Sequence, residues 1–319
     1  MNSREREKID KLIQISRMYY EQDMKQSEIA KAFSISRPLI SRMLREARDM
    51  GIVRIEIGSP EEGNQVLMNQ VCSHFSIAGG ILVPNGMNDV DTNDRIAGMT
   101  LEFLQGLKQE NFGLGWGHII GTLISEMERR EAMKGMARSV CPLMGNSEVS
   151  TRNYHSNELV RIFASRTDAR PEYIYAPAFV TMEQELKQFQ TLENYHTLEA
   201  AWRQLDVAIV NIGNYPSTPD FASEARYGDA LRRQRAVGRV LNYFYNVKGE
   251  IIQSDMDYAI RIPLEILKDT RFVIGLCSSH ISEKAVLGAL RTGYLTHLIA
   301  PEIQVRKALQ MSEESREQV

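Results

Sequence analysis

Arg37, Arg42, Arg45 and Arg48, with Ser36 and Ser41 among them, carry the most legible chemistry in this sequence. It is the donation of hydrogen bonds to phosphates and to the edges of bases. A guanidinium is a planar fork of donors that matches a phosphate or a guanine edge, and a hydroxyl can serve either. Leu39, Ile40, Met43, Leu44 and Ala47 fall between these residues at intervals of three and four, so an apolar stripe faces inward and the arginines face out on one helix. Ser36 is placed to cap that helix through its hydroxyl, and Pro38 falls in the first turn, where a missing N–H costs little. A basic helix alone would be only a solvated face, but its neighbours add to it. A short helix with Ile29, Ala30 and Phe33 inward precedes it, joined by the turn Ser34-Ile35-Ser36-Arg37, with Ile35 able to plug the angle. Two helices, a tight turn and a basic outer face make a helix-turn-helix that can enter a major groove.

The elements around this motif extend it. A helix carrying Ile9, Leu12, Ile13, Ser16 and Tyr20 comes first, and Gly51 ends the basic helix. Ile52-Val53-Arg54-Ile55-Glu56-Ile57 alternates as a strand, so residues 1–57 are expected to form a winged helix-turn-helix domain. Ser36, Arg37, Ser41, Arg42 and Arg45 are its expected contacts to double-stranded operator DNA. Lys25 stands where Ser or Thr usually caps the middle helix three residues before Glu28, which weakens that cap.

Charge is distributed to match. The chain of 319 residues has a formal net charge of −3, yet residues 1–57 hold 12 Lys/Arg against 9 Asp/Glu and the remainder 26 against 32. A mildly basic head on an acidic body confines nucleic-acid contact to one end, and so modest an excess calls for assembly into dimers or larger. Cys72, Cys141 and Cys277 lie far apart and are odd in number, which favours a reducing compartment. With a charged N-terminus and no apolar run near the ~20 residues a bilayer needs, a cytoplasmic protein with no membrane partner is expected.

Gly58-Ser59-Pro60-Glu61-Glu62-Gly63 is rich in breakers and reads as a linker over 58–63, leaving 64–319 as the body. Strands are expected at 80–84, 111–114, 138–144, 206–213, 271–277 and 296–300. Helices are expected at 91–109, 118–133, 153–165, 282–291 and 301–310, with a frayed polar tail from Ser312. Asp206–Gly213 is a continuous apolar run bounded by Asp and Gly, as in a parallel strand covered on both sides. The alternation implies a doubly wound α/β domain, whose ligands bind outside the carboxyl ends of the strands.

Three loops fall at that edge. Gly113–His118 can bring backbone amides and a helix N-terminus to an anion, or can simply be a packing turn. It is neither a GxGxxG nor a Walker loop, so no dinucleotide or ATP is expected. The others are Pro142–Ser147 and Gly275–His280, the latter with Lys284 one turn into the next helix, as an anion partner or an ordinary surface lysine. Asp255 and Asp257 can accept from sugar hydroxyls or merely occupy a polar loop. Arg232, Arg233, Arg235 and Arg239 read as a solvated face or subunit contact, and Trp202 as core. Six scattered histidines and no cysteine pair give no metal site, and no cofactor is expected.

The order of these features resembles the SorC family of sugar-responsive bacterial transcription regulators. The resemblance runs from the head through GLGWG (Gly113–Gly117), CPLMG (Cys141–Gly145), HSNELVRIFA (His155–Ala164), DVAIVNIG (Asp206–Gly213) and AVGRV (Ala236–Val240) to the block Val273–Ile299. It implies a body like that of sugar-phosphate isomerases and deaminases, assembly as tetramers, and an effector at the carboxyl edge of the sheet. Gly115, Trp116, Gly117, His118, Gly145, Asn146, Asn157, the region of Asp255 and Lys284 would then surround a small sugar, polyol or sugar phosphate. Three positions depart from the family: Ile119 replaces a usual Thr, Arg239 an acid, and Ser278-Ser279 a glycine pair. The expected role is an effector-controlled DNA-binding regulator of carbohydrate catabolism. The alternatives are an isomerase or deaminase with a DNA-binding head, or a sensor forming a Schiff base at Lys284.

Overall fold

The computed structural model describes residues 3–20, 22, 24–53, 60–217 and 223–317. The chain divides into two compact units, Met1–Pro60 and Glu61–Val319. In the first, α1 (Ser3–Tyr20), α2 (Gln26–Ala32) and α3 (Arg37–Asp49) surround Ile15, Ile29, Ile40 and Leu44, with Phe33, Ile35 and Met43 packed against them. Ser34 adopts the left-handed conformation (φ 51°) that turns the chain sharply between α2 and α3. The start of α3 differs from expectation in its chemistry, while that of α2 has the weakened cap expected of Lys25. Ser36 occupies the N-cap of α3, but its hydroxyl makes no capping bond; Leu39 and Ile40 donate instead to its carbonyl at 3.0 and 3.2 Å. At α2 the Glu28 carboxylate accepts from the Lys25 N–H at 2.9 Å, and an ammonium has no lone pair to return the bond, so one arm of the capping box forms. Of the expected wing, Ile52 and Val53 lie in a bend and 54–57 fall outside the described residues.

The second unit begins with α4 (Pro60–Phe75). The breaker-rich segment expected as a linker is therefore partly helical, since Pro60–Gly63 forms the opening turn of α4 and only 58–59 lie before it, outside the described residues. Proline suits a first turn because the N–H it lacks would be unpaired there anyway. Next come β1 (Gly79–Val83), α5 (Asp89–Leu107), β2 (Asn111–Leu114), α6 (His118–Arg129) and β3 (Ser139–Pro142). They are followed by α7 (Ser156–Thr167), β4 (Arg170–Pro171), α8 (Glu183–Gln190), α9 (Glu193–Trp202) and β5 (Val207–Asn214). Then come α10 (Ser223–Tyr227), α11 (Ala230–Arg233), β6 (Ala236–Val240), β7 (Tyr243–Asn246) and α12 (Leu264–Asp269). The unit closes with β8 (Phe272–Cys277), α13 (Glu283–Arg291), β9 (His297–Pro301) and α14 (Glu302–Glu317).

The parallel strands run in the order β1-β9-β8-β5-β2-β3-β4, the doubly wound arrangement. From β2 the chain builds outward through β3 and β4; from β5 it builds the opposite way through β8 and β9. The reversal lies between β2 and β5. The antiparallel β6 pairs Gly238–Val240 with Ile212–Asn214, the part of β5 that extends past the end of β2. Val207–Val210 are fully buried, as the apolar run demands, and Trp202 seals the core with its Nε1 donating to the Pro142 carbonyl at 2.8 Å. The tail differs from the fraying expected of it. The helix continues to Glu317, and Ser312 is fully buried, its hydroxyl meeting His74 Nε2 at 2.8 Å and Arg291 Nη2 at 3.0 Å. Among the described residues, no helix is long and apolar enough to cross a membrane.

Candidate effector site and nucleic-acid interface

The reversal between β2 and β5 places Gly115–His118, leaving β2, beside Asn211 on β5, which is where doubly wound sheets bind ligands. Gly117 is required there: its φ of +127° is one that side-chain-bearing residues rarely adopt, and a Cβ would sit 3.3 Å from Asn211 Nδ2. The loop is not an open amide cradle. The Gly115 N–H donates to the Ile209 carbonyl at 2.9 Å and the Gly117 N–H to the Asn153 carbonyl at 2.7 Å. What it offers is the first turn of α6, whose N–H groups have no intrahelical acceptor. His118 is exposed at that turn, with Asn93 Nδ2 of α5 3.5 Å from its Nε2. Asn93 Oδ1 in turn accepts from the Ser279 N–H at 2.8 Å, linking the loop after β8 to the loop after β2. Asn214 fixes the same loop, donating to the His280 carbonyl (2.8 Å) and accepting from the Ser282 N–H (2.9 Å). Lys284 is exposed in the first turn of α13, which Ser282 caps.

Among the buried polar atoms without a hydrogen-bond partner at this edge are Asn211 Oδ1, both carboxamide atoms of Asn242, and Ser279 Oγ. Such an atom costs about 1–3 kcal/mol when left unpaired in a protein interior, so three residues of this kind on neighbouring segments call for an explanation. Asn242 lies in the turn between β6 and β7, next to Leu241, whose N–H donates to the Asn211 carbonyl at 3.2 Å. Arg239, expected on a solvated face, is buried on β6 opposite Gly213, with Nη1 donating to Ser217 Oγ at 2.5 Å. Arg232, Arg233 and Arg235 are exposed, as expected. Burial raises the Tyr154 phenol above its ordinary range, while the Arg239 charge opposes the shift.

The other expected effector residues do different work. Trp116 is buried, with Nε1 donating to the Gly145 carbonyl at 3.0 Å, which Ser156 Oγ also bonds at 3.0 Å. Gly145 is needed because a Cβ would lie 2.2 Å from the Pro177 carbonyl oxygen. The Asn157 carboxamide is spent on Ile174, donating to its carbonyl and accepting from its N–H, both at 2.9 Å. Asn146 donates to the same carbonyl at 3.2 Å and lines a cavity of about 640 Å³ with Ser147, Phe179, Val180, Arg226 and Tyr258. Asp255 is exposed; the carboxylate engaged by the fold is Asp257. Arg226, Arg261 and the Tyr227 hydroxyl all donate to it. Burial disfavours its charge, but the Arg261 and Arg226 charges and the Tyr227 bond together hold Asp257 below the usual carboxylate range.

In the head, α3 buries Ile40, Leu44 and Ala47 and exposes Arg37, Arg42, Arg45 and Arg48, with Ser41 half-buried. Arg37, Arg42 and Arg45 form no ion pair with any described residue, so their guanidiniums are available to a ligand.

Residues 59–310 match the family described as "Putative sugar-binding domain". The sorbitol operon regulator of Klebsiella pneumoniae is 26% identical over 300 residues, spanning 90% of this chain and 94% of its own. The deoxyribonucleoside regulator of Bacillus subtilis (strain 168) is 25% identical over 313 residues, spanning 95% and 98%. The crystal structure of the full-length sorbitol operon regulator SorC from Klebsiella pneumoniae shares the fold, with a TM-score of 0.71 at 24% identity over 94% of this chain and 98% of that one. The chain belongs to the SorC family.

As a SorC-family chain it is a sugar-responsive transcriptional regulator, and the relatives above are named as regulators rather than enzymes. Sequence reasoning reached Ser279 only as part of the Gly275–His280 loop and did not single out Asn93, Asn211 or Asn242. The one visible signal was Asn211, a polar residue inside the apolar run Val207–Ile212. The Gly117 geometry gives a direct check on this SorC-family loop. Gly117→Ala should lower stability by about 1–3 kcal/mol through backbone strain, read as a fall in melting temperature. An unchanged melting temperature would show that the loop adopts another conformation.

Proposed function

We propose that this regulator binds operator DNA through α3 and that a small sugar, polyol or sugar phosphate, held at the carboxyl edge of the sheet, controls that binding in genes of carbohydrate catabolism. The observation that carries the DNA half is the division of α3 into a buried Ile40/Leu44/Ala47 stripe and an exposed Arg37/Arg42/Arg45 face that pairs with no described residue. Arg37, Ser41, Arg42 and Arg45 divide between base edges and phosphates, and Ser36 stands at the helix N-terminus beside them. The relatives' names, a sorbitol operon regulator and a deoxyribonucleoside regulator, support a carbohydrate-like effector.

Gly115, Gly117, His118 and Lys284 flank the effector directly in this reading, with Trp116, Gly145, Asn146 and Asn157 framing them and Asp255 on the exposed rim. Two-fold pairing of heads, within a tetramer, demands a palindromic operator with half-sites about one helical turn apart or a multiple. The effector acts by its difference in affinity between the DNA-competent and incompetent arrangements, and operator DNA must shift effector affinity by the same factor. The protein should retard a fragment of its own promoter region in preference to unrelated DNA. Equal retardation of both at moderate salt would defeat the reading.

A further inference from the structure

The eight-residue helix α8 has no buried residue. Its apolar side chains Leu186 and Phe189 lie three residues apart and are only half-buried against the core. So short a helix is marginal in water and depends on the packing of its apolar face, yet that face is only half covered. Large apolar side chains continue it at both ends. Met182, at the N-cap of α8, is 55% exposed, and Leu192, at the N-cap of α9, is 48% exposed. Next to Leu192, Asn194 accepts from the Tyr175 N–H at 3.2 Å and donates to the Tyr173 carbonyl at 2.9 Å, which sets Tyr175 there at 69% exposure. Next to Met182, the Val180 N–H donates to the Tyr258 carbonyl at 3.1 Å, which brings in Met256 at 51%. Tyr175, Leu192, α8, Met182 and Met256 thus form one apolar belt. Single exposed apolar residues are ordinary on a soluble protein, but a contiguous belt marks an association surface.

We infer that this belt is a contact between two copies of the chain, related by a twofold axis. It puts the assembly of the proposed function on one face, and it rests on that assembly. Charge favours a like partner. Lys187 pairs with Glu183 at 2.6 Å, and the Glu185 carboxylate accepts from the Thr181 and Met182 N–H groups at 3.0 and 3.3 Å. The cation of α8 is therefore engaged within the helix, and the belt gives a phosphate backbone nothing to hold. Across a twofold axis a patch meets itself, so an apolar surface whose charges are already matched suffers little like-charge repulsion there. Shape favours the same partner. Phe179, Val180 and Met256 line the cavity of about 640 Å³, whose lining continues through Thr181, next to Met182. The face therefore carries both protruding apolar side chains and a hollow to take one, and in a twofold pair each copy supplies both. The head also calls for a second copy, since 12 Lys/Arg against 9 Asp/Glu is a small excess for holding a duplex.

The test is the molar mass of the full chain, by sedimentation and light scattering across a wide dilution series, for the wild type, Met182→Glu and Leu192→Glu. Each variant adds a carboxylate to both halves of the contact, where it would have to leave water without a partner. The wild type should assemble, and each variant should fall to a smaller mass at concentrations where the wild type holds together, its association weaker by about tenfold or more. Both side chains are exposed on the single chain, so helical content and the melting of the dissociated chain should not change. A wild-type assembly whose concentration dependence neither variant alters would overturn the assignment and leave the assembly on another face. A wild type of single-chain mass throughout would overturn the assembly as well. A fall in mass that comes with lost helical content would also overturn the assignment, because Met182 and Leu192 would then be holding the fold of one chain.

Discussion

Asp257→Asn should unfold the second unit well below the wild-type melting temperature. The carboxylate is shared by two guanidiniums with side chains only 5% and 8% exposed, and Asp257 itself is 9% exposed. Arg226 lies over the Phe179 ring and Arg261 over Tyr243, at 3.8 and 3.5 Å from the centroids, so neither can swing out to water without breaking an aromatic contact. An asparagine has nearly the same shape, but its NH₂ turns a donor toward donors and its charge is gone. Breaking a buried pair from one side costs about 3–5 kcal/mol, which for a unit of this size is roughly 6–20 °C in melting temperature. The effect has a pH signature. The two arginines hold the folded pKa of Asp257 below its ordinary value, so its stabilisation is complete above an unfolded pKa of about 3.9 and is lost as pH falls through the lower folded value. The gap in melting temperature between wild type and variant should thus be level from about pH 5 to about pH 8 and close below about pH 4. A gap that widens with acid would place the charge linkage elsewhere.

The same cluster shows where the sequence stops being informative. Asp255 and Asp257 are two residues apart in one polar segment, and nothing local distinguishes the exposed from the buried one. The distinction comes from Arg226, on a helix about thirty residues earlier, and Arg261, four residues later in extended chain. Arg239 was unreadable for a similar reason: four arginines in eight residues suggest a solvated face, but β6 pairs with β5 and takes Arg239 inside. Asn211, by contrast, was in plain view within an apolar strand. Its surroundings depended on the strand order, because only the reversal between β2 and β5 sets that residue beside the Gly115–Gly117 loop. The parallel strands were legible as continuous apolar runs because both their faces are covered, and the three head helices because burial of one face imposes a period on the sequence. Side-chain bonds between distant segments impose none, so the Asn157–Ile174 lock and the Ser312 contacts emerge only from the fold.

Arg42→Ala combined with Arg45→Ala should all but abolish operator binding while leaving the head folded. Both side chains are exposed on α3 and pair with no described residue, so their loss removes nothing that holds Ile40, Leu44 and Ala47 in the core. Substitutions of that kind change stability by about 0.5 kcal/mol or less. In a complex, a bidentate arginine is worth about 1–3 kcal/mol against the wrong base, so losing two should weaken binding by roughly 30-fold at the least. The salt dependence then separates their roles. An arginine that neutralises a phosphate contributes nearly one unit to the slope of log K against log salt, and its removal weakens all sequences alike. One that reads a base leaves the slope nearly unchanged and relaxes selectivity at a single position of the half-site. Single variants measured on specific and scrambled DNA at several salt concentrations would therefore assign each residue. The small positive excess of the head makes this assignment consequential, because a head with so few surplus charges must draw its selectivity from contacts of the second kind. Unchanged affinity in the double variant would exclude the exposed face of α3 from the groove.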